Sequence, residues 1–507
     1  MKLSPLHATD FYKTGHVAQY PAGTELVYSN FTCRSDTHAQ VLPDFDHKTV
    51  FYGLQGICQW LLIDLWNREF FQQDKAAVVG AYEVRLRQSL GLETVDVSHI
   101  EALHDLGYLP LLIKALPEGS RVDIRVPLFT IRNTHPEFYW LTNYVETQLS
   151  AEIWKSITTA TSAYEYRRLL DRYAAETGAP AEFVPWQGHD FSMRGQSGIH
   201  DASQSGGGHL LSFLGTDTVS AIDYLEHYYQ AAGTFVGGSV PATEHSVMCM
   251  GGEADEVLTF RRLLTDTYPA GIVSIVSDTW DLWSVMTDMA AELKPAIMAR
   301  EGKTVFRPDS GDPVKILIGD LEAPWGTPAH KGAVQCLWEV FGGTTSPEGF
   351  RTLDSHVGLI YGDSITLDRA QRILAGLKKK GFSSGNVVFG IGSFTYQHVT
   401  RDTFGTAVKA TFGTVDGADR ELFKDPKTDN GVKKSARGLV RVEELDGRFV
   451  LHDRQTWAQE EGGALEPVFR DSEMRRLTSL AEIRARLHGD RFAPASVPTD
   501  TEVLHGT

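Results

Sequence analysis

Two short polar segments gather the residues that could do chemistry, residues 237–246 (GGSVPATEHS) and 307–313 (RPDSGDP). Both are punctuated by Gly and Pro, and both follow or interrupt apolar runs. They read as strand-end loops, where rigid backbone hands over to functional side chains. Glu244, His245, Arg307 and Asp309 are residue types that move protons, grip phosphate or answer positive charge. Residues 361–365 (YGDSI) have the same character. Pro308 and Gly311 fix the second loop, so Arg307 can fork onto phosphate or amide oxygen while Asp309 faces sugar hydroxyls; alternatively, the two pair and brace the loop. His245 is either a held nucleophile or an ordinary hydrogen-bonded loop histidine. Asp217, in 215–218 (GTDT), has the type and place of a helix N-cap.

These residues need a scaffold. From residue 187 to residue 393 one pattern recurs: a short apolar run, a stop on Gly, Asp or Ser, then helical spacing. Seven runs fit, ending at 189–195 (HDFSMRG), 213–217 (FLGTD), 240–246 (VPATEHS), 274–278 (SIVSD), 305–312 (VFRPDSGD), 360–364 (IYGDS) and 388–393 (VFGIGS). The clearest following helix is 367–377, with Leu367, Ala370, Ile373, Leu374 and Leu377 on one face and Gly381 beyond its end. Repeated strand–loop–helix units predict an α/β fold with a parallel sheet. Polar residues at every strand end favour a closed (β/α) barrel, although an open doubly wound sheet fits the same pattern. The GDS and GIGS stops offer backbone N–H groups at helix N-termini, a common phosphate cradle.

Residues 27–34, 121–133, 439–442 and 448–451 alternate like strands, which predicts a second, mixed α+β domain built from both ends of the chain. The expected division is an N-terminal α+β segment (1–150), the barrel (151–400), a C-terminal segment packing on the first (401–492) and a frayed tail (493–507). Residues 322–349 read as a low-pattern insertion. Between residues 424 and 441, Lys424, Lys427, Lys433, Lys434, Arg437 and Arg441 face only two aspartates, either a solvated loop or an anion-collecting flap.

The chain has 507 residues, 42% of them hydrophobic, enough for a large core and more than one domain. Its formal net charge of −17 argues against nucleic acid or acidic membrane as partner. Cys33, Cys58, Cys249 and Cys336 show no metal-ligand spacing. With no apolar run of signal-peptide or membrane-spanning type, a reduced cytoplasmic setting is expected.

In order along the chain, 9–13 (TDFYK), HDFSMRG, GTDT, PATEHS, RPDSGDP and YGDSI closely resemble the nicotinamide phosphoribosyltransferases, and the likeness extends to about Arg437. The resemblance implies an irregular barrel of the type II phosphoribosyltransferase kind. It implies transfer of a phosphoribosyl group from phosphoribosyl pyrophosphate to nicotinamide in NAD salvage, with Mg²⁺ on the pyrophosphate, ATP as co-substrate and a homodimer with shared sites. By resemblance, Arg307, Asp309, Gly362 and Asp363 contact the ribonucleotide; Arg194, His245 and Arg307 contact pyrophosphate; Gly392 and Ser393 contact phosphate. Phe191 and Tyr12, otherwise ordinary core aromatics, would sandwich the pyridine ring, Tyr12 reaching in from a second subunit; Arg401 and Lys409 match phosphate contacts that can also come from the partner subunit. His245 would take a phosphoryl group from ATP, oriented by Asp278. Asp217 would accept from the carboxamide NH₂, which favours nicotinamide over nicotinate.

Three positions depart from the family pattern: Ser393 replaces a glycine, Ala407 a serine and Phe11 a small residue. The rivals are a nicotinate phosphoribosyltransferase, a regulator of the same fold without turnover, and a sugar-phosphate aldolase or isomerase. The last would need a strand-end lysine, which none of the seven runs carries.

Overall fold

The computed structural model describes residues 3–423 and 436–492. Six strands, Gly188–Asp190, Gly215–Thr216, Ala270–Val276, Glu301–Arg307, Val357–Tyr361 and Val388–Ile391, form one sheet in which every pair is parallel. The seventh run, 240–246, is not a strand. It joins the two sheet edges through single bridges, Gly215 to Gly238 and Ala242 to Ser274, supported by hydrogen bonds from Gly238 N to Leu214 O (2.8 Å) and from Ser274 N to Pro241 O (2.9 Å). Pro241 has no N–H to continue a ladder, so pairing stays local. The sheet curls into an irregular barrel with this loop as its seam, and the seam carries His245 to the rim where the strands end.

Strand alternation divides the side chains. Phe306, Leu359, Tyr361 and Phe389 join the apolar layer beneath the outer helices, leaving Val305 and Arg307 for the lumen. The helix Leu367–Lys379 buries Leu367, Ala370, Ile373, Leu374 and Leu377, the predicted face, and Thr366 caps it by accepting from Arg369 N. The helix starts at Leu367 as the apolar spacing predicts, three residues beyond Ser364, which itself holds a left-handed φ of 51°.

Both ends of the chain build the second sheet, seven antiparallel strands ordered Ala418–Glu421, Ala407–Val415, Thr24–Thr32, Pro127–Asn133, Leu111–Ala115, Glu466–Arg470 and Glu473–Met474. Phe31 stacks on Phe129 at 4.8 Å across one pair. The expected 121–133 strand splits into Arg121–Asp123 and Pro127–Asn133 around Arg125, whose φ is 75°. Leu439–Leu445 and Arg448–Gln455 form a separate two-stranded ribbon rather than joining this sheet.

The 32-residue helix Glu146–Thr177 packs closely on the helix Ile199–His209, because small residues line the contact. A Cβ on Gly208 would lie 3.1 Å from Ala160 N. Residues 322–349 are better ordered than their composition suggested: Ala333–Phe341 is a helix that buries Val334, Leu337 and Phe341, and Gly343–Thr345 pairs with Arg351–Leu353. The surrounding Gly and Pro hid this short amphipathic run.

No helix among the described residues is long and apolar enough to cross a membrane. All four cysteines are free thiols. The predicted tail and Lys424, Lys427, Lys433 and Lys434 lie outside the described residues.

Candidate active site

One wall of the barrel mouth is a phenyl ring laid on glycine. Phe191 follows the strand Gly188–Asp190 and its N–H donates to Ile391 O at 3.0 Å, so the sheet fixes its backbone. A Cβ on Gly390 would sit 2.4 Å from the Phe191 ring, and one on Gly362 would sit 3.1 Å from it. Only glycine admits the ring there. The result is a flat aromatic face suited to a planar, electron-poor ligand.

Asp217 stands beside that face. Its Oδ1 lies 2.9 Å from His189 Nε2 and accepts from Ser239 Oγ at 2.5 Å, while the His189 ring is 4.8 Å from Phe191. The capping alternative does not hold: the helix Val219–Tyr228 has Thr218 at its N-cap position and no side-chain cap. Partial burial is the largest single influence on the Asp217 pKa and pushes it up. The bonds from His189 and Ser239, with the charges of His189 and Arg307, outweigh it and hold the pKa below the usual aspartate value. Asp217 therefore presents a fixed negative charge at neutral pH.

Deeper in the mouth, Arg307 Nε and Asp309 Oδ2 are 3.6 Å apart, an ion pair too long for a hydrogen bond. The loop is braced by other means. Tyr361 OH donates to Gly311 O at 3.0 Å, Gly311 taking a φ of 92°, and Asp312 caps the next helix through Val314 N at 2.8 Å. Arg307 and Asp309 are thereby left to other work, and neither Arg307 Nε nor Asp309 Oδ1, both buried, has a hydrogen-bond partner among the described residues. Burial raises the Asp309 pKa first, Arg307 opposing and the charges of Asp278 and Asp363 adding to the rise. Asp278, only 3% exposed, places Oδ1 3.2 Å from His245 Nε2. The His245 side chain is 47% exposed at the start of the helix His245–Gly251.

The candidate phosphate groups form a second cluster. Arg194 is exposed on the turn Met193–Gly195, and a Cβ on Gly195 would lie 2.4 Å from that of Ser393, so the two loops touch. Gly392 is the N-cap position of the short helix Ser393–Tyr396. Ser393 has no left-handed φ, so serine keeps the backbone N–H without strain.

Residues 186–462 match the Nicotinate phosphoribosyltransferase (NAPRTase) family, and residues 4–79 match the Nicotinamide phosphoribosyltransferase, N-terminal domain. The nicotinamide phosphoribosyltransferase of Acinetobacter baylyi is 61% identical over 492 residues, covering 96% of this chain and 97% of that protein. This chain belongs to the nicotinamide phosphoribosyltransferase family. The Xanthomonas campestris pv. campestris member is 32% identical over 498 residues, 96% of this chain and 98% of that one. Human nicotinic acid phosphoribosyltransferase shares the fold at a TM-score of 0.55 and 16% identity, covering 96% of this chain and 94% of that one. The fold is thus the type II phosphoribosyltransferase barrel with a second mixed domain.

The resemblance to the family named three residues that the single chain does not bring to the barrel mouth. Among the described residues, no hydrogen bond, ion pair or ring contact joins Tyr12, Arg401 or Lys409 to Phe191, Asp217 or Arg307. Tyr12 is 62% exposed, 5.1 Å from the Lys13 ammonium, which in turn pairs with Glu146 at 2.5 Å. Lys409 has a lowered pKa, first through burial, with Glu146 opposing and Arg34, Lys13 and Arg401 adding to the lowering. These residues form a positive patch of their own on the second domain. Phe11 is half exposed beside Tyr12, and Ala407 is buried at the head of its strand. Sequence reasoning assigned no role to His189 or Ser239, the two residues that hold Asp217. Period-two alternation in HDF, which sets His189 on the same face as Phe191, was the available signal.

Proposed function

We infer that this site joins nicotinamide to the 5-phosphoribosyl group of phosphoribosyl pyrophosphate, giving nicotinamide mononucleotide and pyrophosphate, a step of NAD salvage. The observation that carries the reading is Asp217, an ionised carboxylate fixed by two partners beside the Phe191 face. A carboxamide NH₂ donates to it, whereas the carboxylate of nicotinate meets a like charge. The pyridine nitrogen forms a bond to ribose C1 as the C1–O bond to pyrophosphate breaks. Nitrogen gains the positive charge and no proton moves. Positive charge develops on the ribose in the transition state, and Asp309 at the Gly362 wall supplies the answering field. Arg194, Arg307 and the Gly392–Ser393 backbone take the phosphates.

Among the described residues no group of three or more His, Cys, Asp or Glu is placed to hold a metal ion, so Mg²⁺ would enter on the pyrophosphate and neutralise charge on the leaving group there. ATP as co-substrate rests on the His245–Asp278 pair. Asp278 engages Nε2, and Nδ1 has no partner among the described residues, which leaves it to attack the γ-phosphorus as ADP departs. Tyr12, Arg401 and Lys409 complete the mouth from a second subunit of a homodimer. The free cysteines suit a cytoplasmic setting.

The test is product analysis. Purified protein is incubated with phosphoribosyl pyrophosphate and either nicotinamide or nicotinate, with and without ATP. Nicotinamide mononucleotide is the expected product, formed faster with ATP; preferential use of nicotinate would overturn the assignment of Asp217.

A further inference from the structure

A buried lysine outside the site connects the two candidate phosphate loops. Lys155 lies on the long helix Glu146–Thr177, and its side chain is only 5% exposed. A buried ammonium needs acceptors to offset its lost hydration. Lys155 Nζ donates to Asp201 Oδ2 at 2.6 Å and also to Gln397 Oε1. Asp201 Oδ2 accepts in addition from Ser197 N at 2.8 Å. Gln397 Nε2 closes the circuit by donating to Ser197 Oγ at 2.7 Å, and Gln397 N donates to Ser393 O at 2.8 Å.

We propose that Lys155 is a positioning residue for the pyrophosphate-bearing substrate, setting the separation between the Arg194 loop and the Gly392–Ser393 turn. The proposal rests on the transferase reading above. The two loops leave neighbouring parallel strands, Gly188–Asp190 and Val388–Ile391, but beyond the strand ends the ladder no longer holds them. The ring Lys155–Asp201–Ser197–Gln397 takes over, with Lys155 anchored in the long helix Glu146–Thr177 and Asp201 in the helix Ile199–His209 packed against it. Without the ammonium, Gln397 Oε1 loses its donor and Asp201 keeps only the Ser197 N–H. Donors that share one anion must be placed to within a fraction of an ångström. Phe191 and Asp217 are held by the sheet, His189 and Ser239, and none of these belongs to the ring. Loss of Lys155 therefore weakens phosphate binding selectively.

Full-length wild type, Lys155→Met, Lys155→Arg and Gln397→Leu are compared in steady-state kinetics and in calorimetric binding of inorganic pyrophosphate. The expected result is a rise of about tenfold in KM for phosphoribosyl pyrophosphate and in Kd for pyrophosphate in Lys155→Met and Gln397→Leu. KM for nicotinamide and the melting temperature stay near wild type, and Lys155→Arg recovers part of the loss. If Lys155→Met does not fold, Gln397→Leu decides. The proposal is overturned if that variant keeps both phosphate constants within about twofold of wild type, or if KM for nicotinamide rises in parallel. A wild type that binds pyrophosphate but makes no nicotinamide mononucleotide sinks the transferase reading, while the pyrophosphate titrations still judge Lys155. A wild type that binds no pyrophosphate overturns the proposal itself.

Discussion

Asp278 ties His245 to the Arg307 loop: one carboxylate oxygen lies 3.2 Å from His245 Nε2, and the other accepts the backbone N–H of Asp309 at 2.8 Å. A single buried side chain thus serves both the candidate phosphoryl acceptor and the loop that faces the ribose. The two functions share one hinge but have separable ends.

That separation predicts unequal variants. His245→Ala is expected to abolish stimulation by ATP and to leave slow basal transfer, because the ribosyl step depends on electrostatics rather than on a nucleophilic imidazole. Asp278→Ala is expected to lower basal transfer as well, by about ten- to a hundredfold, because the Asp309 N–H loses its acceptor and the loop facing the ribose loses its anchor. Single-turnover assays with and without ATP distinguish the two. An acid-labile label from γ-labelled ATP should appear on wild type and be absent from His245→Ala; its persistence would place the phosphate elsewhere.

Asp217→Asn keeps the shape of the side chain but removes its charge. The strong acceptor for the carboxamide and the repulsion of nicotinate disappear together. The ratio of kcat/KM for nicotinamide over nicotinate should fall by about ten- to a hundredfold. An unchanged ratio in a folded variant would leave Asp217 no part in selectivity.

The parallel sheet was legible because strands buried on both faces read as short apolar runs with polar stops, a pattern that favoured the barrel but also fitted an open doubly wound sheet. It misjudged residues 240–246, where composition resembles a strand end but Pro241 limits pairing to single bridges. His245 and Asp278 were legible as types at strand ends, yet their contact spans 33 residues of sequence, and no local pattern encodes it. The same holds for Lys155, whose partners Asp201 and Gln397 lie 46 and 242 residues away in sequence. Asp217 was legible through the family resemblance; its partners His189 and Ser239 required the folded chain.

Glu256 gives a pH prediction that is independent of catalysis. It is 5% exposed, with Oε1 lacking a partner among the described residues. Burial, then the charges of Asp281, Glu253 and Asp278, push its pKa up to about 7. The folded chain therefore holds a proton that the unfolded chain releases between the ordinary glutamate value and about 7. The stability this gives is full below that window and lost as pH rises through it. Glu256→Gln should match wild type in urea unfolding near pH 5 and exceed it by about 1 kcal/mol near pH 8, less than the full shift because solvent screens the neighbouring carboxylates. Equal unfolding midpoints at the higher pH would show that the carboxylate finds relief the static structure lacks.

The exposed Tyr12 patch yields the last prediction. Among the described residues, Tyr12, Arg401 and Lys409 make no hydrogen bond, ion pair or ring contact with Phe191, Asp217 or Arg307 of their own chain, and Tyr12 is 62% exposed. If a second copy supplies the missing face, each active site draws Tyr12 from one chain and Asp309 from the other. Tyr12→Ala and Asp309→Ala should each be nearly inactive alone, since one loses the stacking face and the other the charge beside the ribose. Mixed and allowed to exchange subunits, they form a heterodimer in which one mouth carries both defects and the other is wholly wild type. With random exchange half the dimers are mixed, so about a quarter of wild-type activity should return. Subunit exchange is followed by mass spectrometry of differently labelled chains. No recovery despite complete exchange, or full activity in a wild-type monomer, would show that each chain completes its own site.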